Sequence, residues 1–210
     1  MQATQDDAPL LAIRELTLRR GGNAVLDRVS LTLARGRTLG LLGESGAGKS
    51  LKPHLLGSEA MGSMSTYGVG GSHRHIPEME QGFSKLAGED VTVSFTPTLA
   101  PMPRGILTTA TAKVKPGVTA AQLREAWSAA YAGELFVHLL PEGQWPTTGA
   151  VLGSNHVQLQ LAFDTHANRV IATAALDNLT KGTAGAAVQS MNIALGLEEN
   201  TGLLMQGVAP

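Results

Sequence analysis

The chain has 210 residues, 43% of them hydrophobic and 16% charged, with a formal net charge of -1. That apolar share is enough for a packed core, and the near-neutral balance gives no electrostatic pull toward nucleic acid or an anionic membrane. Cysteine is absent, which excludes disulfides, thiolate metal sites and a thiol nucleophile from these residues.

The opening MQATQDDAPL is acidic and lacks the apolar region of a secretory signal. No apolar run reaches the roughly 20 residues that cross a bilayer. A cytoplasmic chain without a membrane span is the expectation. LLAIRELTL then alternates as a strand, Gly21-Gly22-Asn23 turns, and VLDRVSLTLA reads as a second strand. The short apolar run TLGLLG reads as a buried third strand and feeds into GESGAGKS. Residues 51–72 show no clear period. From residue 91 the pattern sharpens: VTVSFTPTLA and GILTTATAKV alternate as strands around the Pro101–Arg104 turn.

Thr119 and Gln122 form a capping box before a helix whose Leu123, Trp127, Ala130 and Tyr131 share one face. LFVHLL reads as a short strand. HVQLQLAFD and RVIATAALD read as a hairpin around Thr165–Asn168. A helix is expected from about Thr183 to Leu197. The fold class is α+β, a largely antiparallel sheet with helices, preceded by strands and a phosphate-loop-like turn.

GESGAGKS fits the G-x-x-x-x-G-K-[ST] pattern in full. In a formed loop the backbone N–H groups around Gly43, Ser45, Gly46 and Gly48 cradle phosphate, Lys49 reaches the outer phosphates and Ser50 holds Mg²⁺. With LDRVSLTLARGRTLGLLG before it, residues 10–50 resemble the opening of an ATP-binding-cassette ATPase, which implies Mg-ATP as ligand. Beyond Ser50 the pattern departs. No LSGGQ-like stretch follows, and the first 50 residues hold no aromatic side chain. VIATAALD ends in Asp177 like an acidic metal-holding strand but sits better in the second resemblance. The alternative is a Gly-rich connection that binds nothing.

Residues 51–210 resemble N-acetyl-gamma-glutamyl-phosphate reductase through YGVGGSHRHIPEMEQ, TLAPMPRGILTTATA, VLGSNHVQLQLAFD and ALDNLTKGTAGAAVQSMNIALG. The resemblance implies a catalytic and dimerisation domain, and hence a homo-oligomer. It also implies NADP as cofactor and reduction of an acyl phosphate to a semialdehyde in arginine biosynthesis, through a cysteine thioester. His73, in HRH-x-P-E, is then the acid/base, with Arg74, His75 and Glu78 to orient it or bind anionic substrate. Arg104 becomes a ligand for the substrate's carboxylate or phosphate. Asn178, Lys181, Gly182 and Gly185 approach the nicotinamide.

Each of these has a structural alternative. The histidines can satisfy backbone groups in a polar loop, Arg104 can be a surface arginine, and Asn178 with its glycines can cap a helix. Gly153, Ser154 and Asn155 read as a structured turn without chemistry.

The family's dinucleotide-binding half and its cysteine have no counterpart here. The expectation is therefore two parts, 1–50 and 51–210, inactive as a reductase alone and turning over acyl phosphate only when completed in trans. The reductase family carries its own stretch like SGAGK before KPHLLGSEAMGS. The two resemblances thus overlap at Ser45–Ser50, as in a hybrid joined at shared sequence. An ATP-binding protein and a ligand-free interaction module are the competing classes.

Overall fold

A computed structural model describes residues 11–20, 23–33, 62–203 and 206–207. The chain divides into two compact units, Met1–Pro53 and His54–Pro210. In the first, β1 (Leu11–Arg20) and β2 (Asn23–Leu33) pair antiparallel, as their alternation predicts. The register slips where Glu15 and Arg28 take positive φ. There the Ser30 and Thr17 hydroxyls on the opposing strands accept the two freed N–H groups. The TLGLLG run and the whole of Gly43–Ser50 lie outside the described residues.

The second unit is built on a four-stranded sheet in the order β5-β8-β7-β6. Its strands are β5 (Ile106–Lys113), β6 (Val137–Leu139), β7 (Val157–Asp164) and β8 (Arg169–Leu176). The expected hairpin β7–β8 is present, with Asn168 at φ 52° in its turn. Only β6 runs parallel to its neighbour. The sheet is therefore largely antiparallel and the α+β class holds.

The predicted capping box is complete. Gln122 N–H donates to Thr119 Oγ1, and Thr119 N–H donates to Gln122 Oε1 at 2.9 Å, starting helix α2 (Ala120–Ala130).

Two stretches depart from the reading above. HIPEMEQGFSKLA forms α1 (Ile76–Ala87), with Pro77 at its start, Lys85 in its last turn and Gly88 as a left-handed cap. Those are ordinary helix boundary signals that the histidine motif overshadowed. VTVSFTPTLA, expected as a strand, contributes only β4 (Thr98–Leu99), which pairs with β3 (Ser65–Thr66). The reason lies in α1. Ser84 Oγ and Glu80 Oε1 accept the N–H groups of Val91 and Val93, so side chains occupy the donors a ladder would use.

Much of the interior is polar. The largest fully buried side chains are Phe136, Gln160, Val151, Asn155, Asn192, Asp177 and Ser154. Five of those seven are polar, so specific hydrogen bonds rather than oil-like packing set the geometry there. Gln160 illustrates it. Its Nε2 donates to the carbonyls of Pro141 and Gln144, and its Oε1 accepts from Arg124 of α2. One amide thus ties the sheet to the loop after β6 and to a helix.

Candidate functional site

Asp177 follows β8 directly and has no exposed surface. One carboxylate oxygen accepts from Arg104 Nη2 at 2.6 Å and from the Gly153 N–H at 2.7 Å. The other accepts from the N–H groups of Leu179 and Thr180 at 2.9 and 2.8 Å. Burial alone pushes the carboxyl pKa up. The Arg104 bond and the three backbone donors outweigh it and hold the group well below the usual carboxylate range. The register explains why these residues meet: Ile106 pairs with Leu176, so the loops flanking that pair are neighbours. Asn178 Oδ1 completes the seam by accepting from Gly105 N–H at 2.7 Å. Gly105 has φ 109°, and a Cβ there would lie 2.7 Å from Thr148, so only glycine fits.

Arg104 is therefore half of an internal ion pair as well as a candidate ligand for substrate. Both of its hydrogen bonds, to Asp177 and to Thr180 Oγ1, use Nη2. Its Nε is buried without a partner.

After Asp177 the chain makes a wide turn, Thr180–Ala184, closed by Gly182 N–H to Asp177 O and Ala184 N–H to Leu179 O. It runs straight into α3 (Gly185–Ala194), shorter than the helix expected over 183–197. A Cβ at Gly185 would sit 2.3 Å from Asn155 Oδ1 and 2.8 Å from Thr180 O, whereas one at Gly182 would lie 3.3 Å from its nearest neighbours. Gly185 thus has a packing reason to be glycine, whatever it does for a cofactor.

Lys181 projects from the turn. Its Nζ donates to Gln189 Oε1 at 2.6 Å and lies 5.5 Å from the Phe136 ring centroid. Burial lowers its pKa, against the upward pull of Glu199 and Glu134. Beside it, His156 stacks on His138 at 4.3 Å and meets Phe136 edge-on. His156 Nε2 is buried without a partner. Burial lowers its pKa first, then His138 and Lys181.

Gln189, Asn155, His138 and His156 were not legible as a cluster, because nothing in their spacing brings them together. Asn155 belonged to a turn assigned no chemistry.

His73 stands in a separate group. Its half-buried ring is met edge-on by Tyr67, His75 and Phe95, with centroids 5.6, 5.0 and 5.0 Å away. Its Nδ1 accepts from the His75 N–H at 3.3 Å. Arg74 and His75 are exposed. None of the ring contacts or hydrogen bonds of His73 reaches Arg104 or Lys181. Arg104, Asn178 and the Lys181 turn are thus brought together, while His73 stays with its own loop. The phosphate-loop candidates Gly43, Ser45, Gly46, Gly48, Lys49 and Ser50 fall outside the described residues. Among the described residues no cluster of three His, Cys, Asp or Glu side chains is arranged to hold a metal ion. Among them, too, no helix is long and apolar enough to cross a membrane.

The family described as "Semialdehyde dehydrogenase, dimerisation domain" matches residues 37–178. The match begins before GESGAGKS and takes it in. N-acetyl-gamma-glutamyl-phosphate reductase from Micrococcus luteus is 69% identical over 86% of this chain and 55% of its own length. The reductases of the same name from Arthrobacter sp. and Streptomyces coelicolor are 74% and 70% identical, each over 80% of this chain and 49% of theirs. The chain spans about half the length of the curated relatives it matches. No ATP-binding-cassette ATPase stands among these similarities.

Proposed function

The chain belongs to the semialdehyde dehydrogenase dimerisation-domain family, and from that premise we propose that it is the substrate-handling and dimer-forming half of an N-acetyl-gamma-glutamyl-phosphate reductase. The identity to the reductases, carried over half their length, is the observation that supports this most. The proposed reaction is reduction of an acyl phosphate to a semialdehyde in the cytoplasm, within arginine biosynthesis. NADPH, when bound, supplies the hydride. The chain has no cysteine, so a thiol nucleophile must come from a complementing half, and this chain alone does not turn over.

His73 is the proton carrier in this reading. Because Nδ1 accepts the His75 N–H, the neutral ring carries its hydrogen on Nε2 and offers that N–H as the donor toward substrate. Its three aromatic neighbours restrict the ring's rotation. Arg74, His75 and Arg104 are the proposed ligands for the substrate's anionic groups. Asn178, Lys181, Gly182 and Gly185 are proposed to face the cofactor. The fit is good at Lys181, whose ammonium has donors beyond the one given to Gln189. It is weaker at Asn178, whose Oδ1 is already committed to Gly105.

Self-association is part of the proposal. Strand β5, at the sheet edge, is exposed along all eight residues and carries no charge from Ile106 to Ala112. An uncharged, exposed edge of that length favours pairing with a second copy.

The test is complementation. The dinucleotide-binding half of the Micrococcus luteus reductase, co-purified with this chain, should oxidise NADPH in the presence of N-acetyl-gamma-glutamyl phosphate. His73→Gln should abolish that turnover while leaving the complex intact. A stable complex without turnover would overturn the reading.

A further inference from the structure

Lys181 and Glu199 carry opposite charges near each other, yet an amide stands between them. Gln189, on α3, accepts from Lys181 Nζ at 2.6 Å and from Asn155 Nδ2 at 2.9 Å, both through Oε1. Its Nε2 donates to Glu199 Oε1 at 2.5 Å. This arrangement has only one sense. Turning the Gln189 amide over would set an NH₂ group against two donors and a carbonyl against a carboxylate. Asn155 cannot move aside, because it is fully buried and its Oδ1 abuts Gly185.

Glu199 is fixed in turn. Its backbone carbonyl, with that of Thr201, accepts from the buried Asn192 Nδ2 at 3.0 Å. The charges facing Lys181 are Glu199 after α3 and Glu134 before Phe136, with His156 beside them. A carboxylate in direct contact would neutralise the ammonium. A neutral amide holds it in place and leaves its charge unspent.

We propose that Gln189 is a positioning residue, whose amide fixes the Lys181 ammonium without a carboxylate partner so that it can take a phosphate group of a ligand. The ligand half rests on Lys181 facing the cofactor. The positioning half stands on the hydrogen bonds alone. The amide acts as an insulating link: Glu199 orients Gln189, Gln189 orients Lys181, and no proton or charge passes between the ends.

The experiment uses the full chain with lysine labelled at Cε, the Lys181 resonance assigned with Lys181→Arg and titrated by NMR. Gln189→Glu places a carboxylate directly on the ammonium and should raise its titration midpoint. Glu199→Gln removes the larger of the two upward pulls, leaving that of Glu134, and should lower it; it serves alone if Gln189→Glu does not fold. Inorganic pyrophosphate is the probe. It should shift the wild-type Lys181 resonance, with affinity reduced several-fold in Gln189→Glu. Unmoved midpoints in folded variants would overturn the positioning role. Midpoints that move while pyrophosphate leaves the resonance untouched would retain that role and sink the phosphate assignment.

Discussion

Arg104 and Asp177, 73 residues apart in sequence, meet at 2.6 Å with the carboxylate wholly out of solvent. The pair clamps the chain entering β5 to the chain leaving β8, and so sets where the Lys181 turn begins. Removing Arg104 leaves a buried carboxylate held by backbone N–H groups alone, and removing the carboxylate charge leaves the guanidinium without its counter-ion. Asp177→Asn would also turn donors toward donors. Either Arg104→Met or Asp177→Asn should cost about 3–5 kcal/mol by urea denaturation at neutral pH, the arginine change at the lower end because Arg104 is partly solvated.

The same pair gives a pH signature. The folded pKa of Asp177 is held below its unfolded value near 4. Its stabilisation is therefore fully present above that unfolded value and drains away as pH falls toward the lower folded one. Denaturation midpoints should decline steeply below about pH 4, and Asp177→Asn should flatten that decline. An unchanged acid limb in the variant would show that other carboxylates govern it.

His156 adds a second pH dependence nearer neutrality. Its folded pKa lies below the unfolded value of about 6.5. The unfolded chain thus binds the proton first, and stability is complete above that value and lost as pH falls through the interval below it. His156→Gln should remove this component, measured as the difference in stability between pH 7.5 and pH 5.5. His138→Gln should shrink it by removing the neighbouring charge.

Gly185 and Gly182 separate packing from backbone freedom. Gly185 has φ -66°, which any residue adopts, so what opposes a side chain is the clash with Asn155 and the Thr180 carbonyl. Gly185→Ala should cost about 1–3 kcal/mol. Gly182→Ala, with its nearest neighbours at 3.3 Å, should cost less. Thermal or urea melts of both variants decide the order.

Leu107 is 54% exposed on the edge strand. Leu107→Lys places a charge where pairing is proposed and should shift the chain toward monomer in sedimentation velocity, with little loss of monomer stability. Identical sedimentation of variant and wild type at every concentration would remove β5 from the interface.

What the sequence by itself determined was local. The β7–β8 hairpin and the α2 capping box were legible because their alternation, turn and cap residues lie within a few positions of one another. The α1 boundaries carried signals of the same kind. Residues 91–97 misled because alternation reports exposure of alternate side chains, not a partner for the backbone. Here the side chains of Glu80 and Ser84 took two of the donors.

The site was decided elsewhere. His73 and Arg104 could be picked out as chemically apt residues, but the ion pair of Arg104 with Asp177 depends on the β5–β8 register. The Lys181–Gln189–Glu199 link depends on a wide turn that no period announces. Such contacts join residues whose separation along the chain says nothing about their separation in space. Only the tertiary structure, by burying them together, makes each polar group's partner a matter of energy.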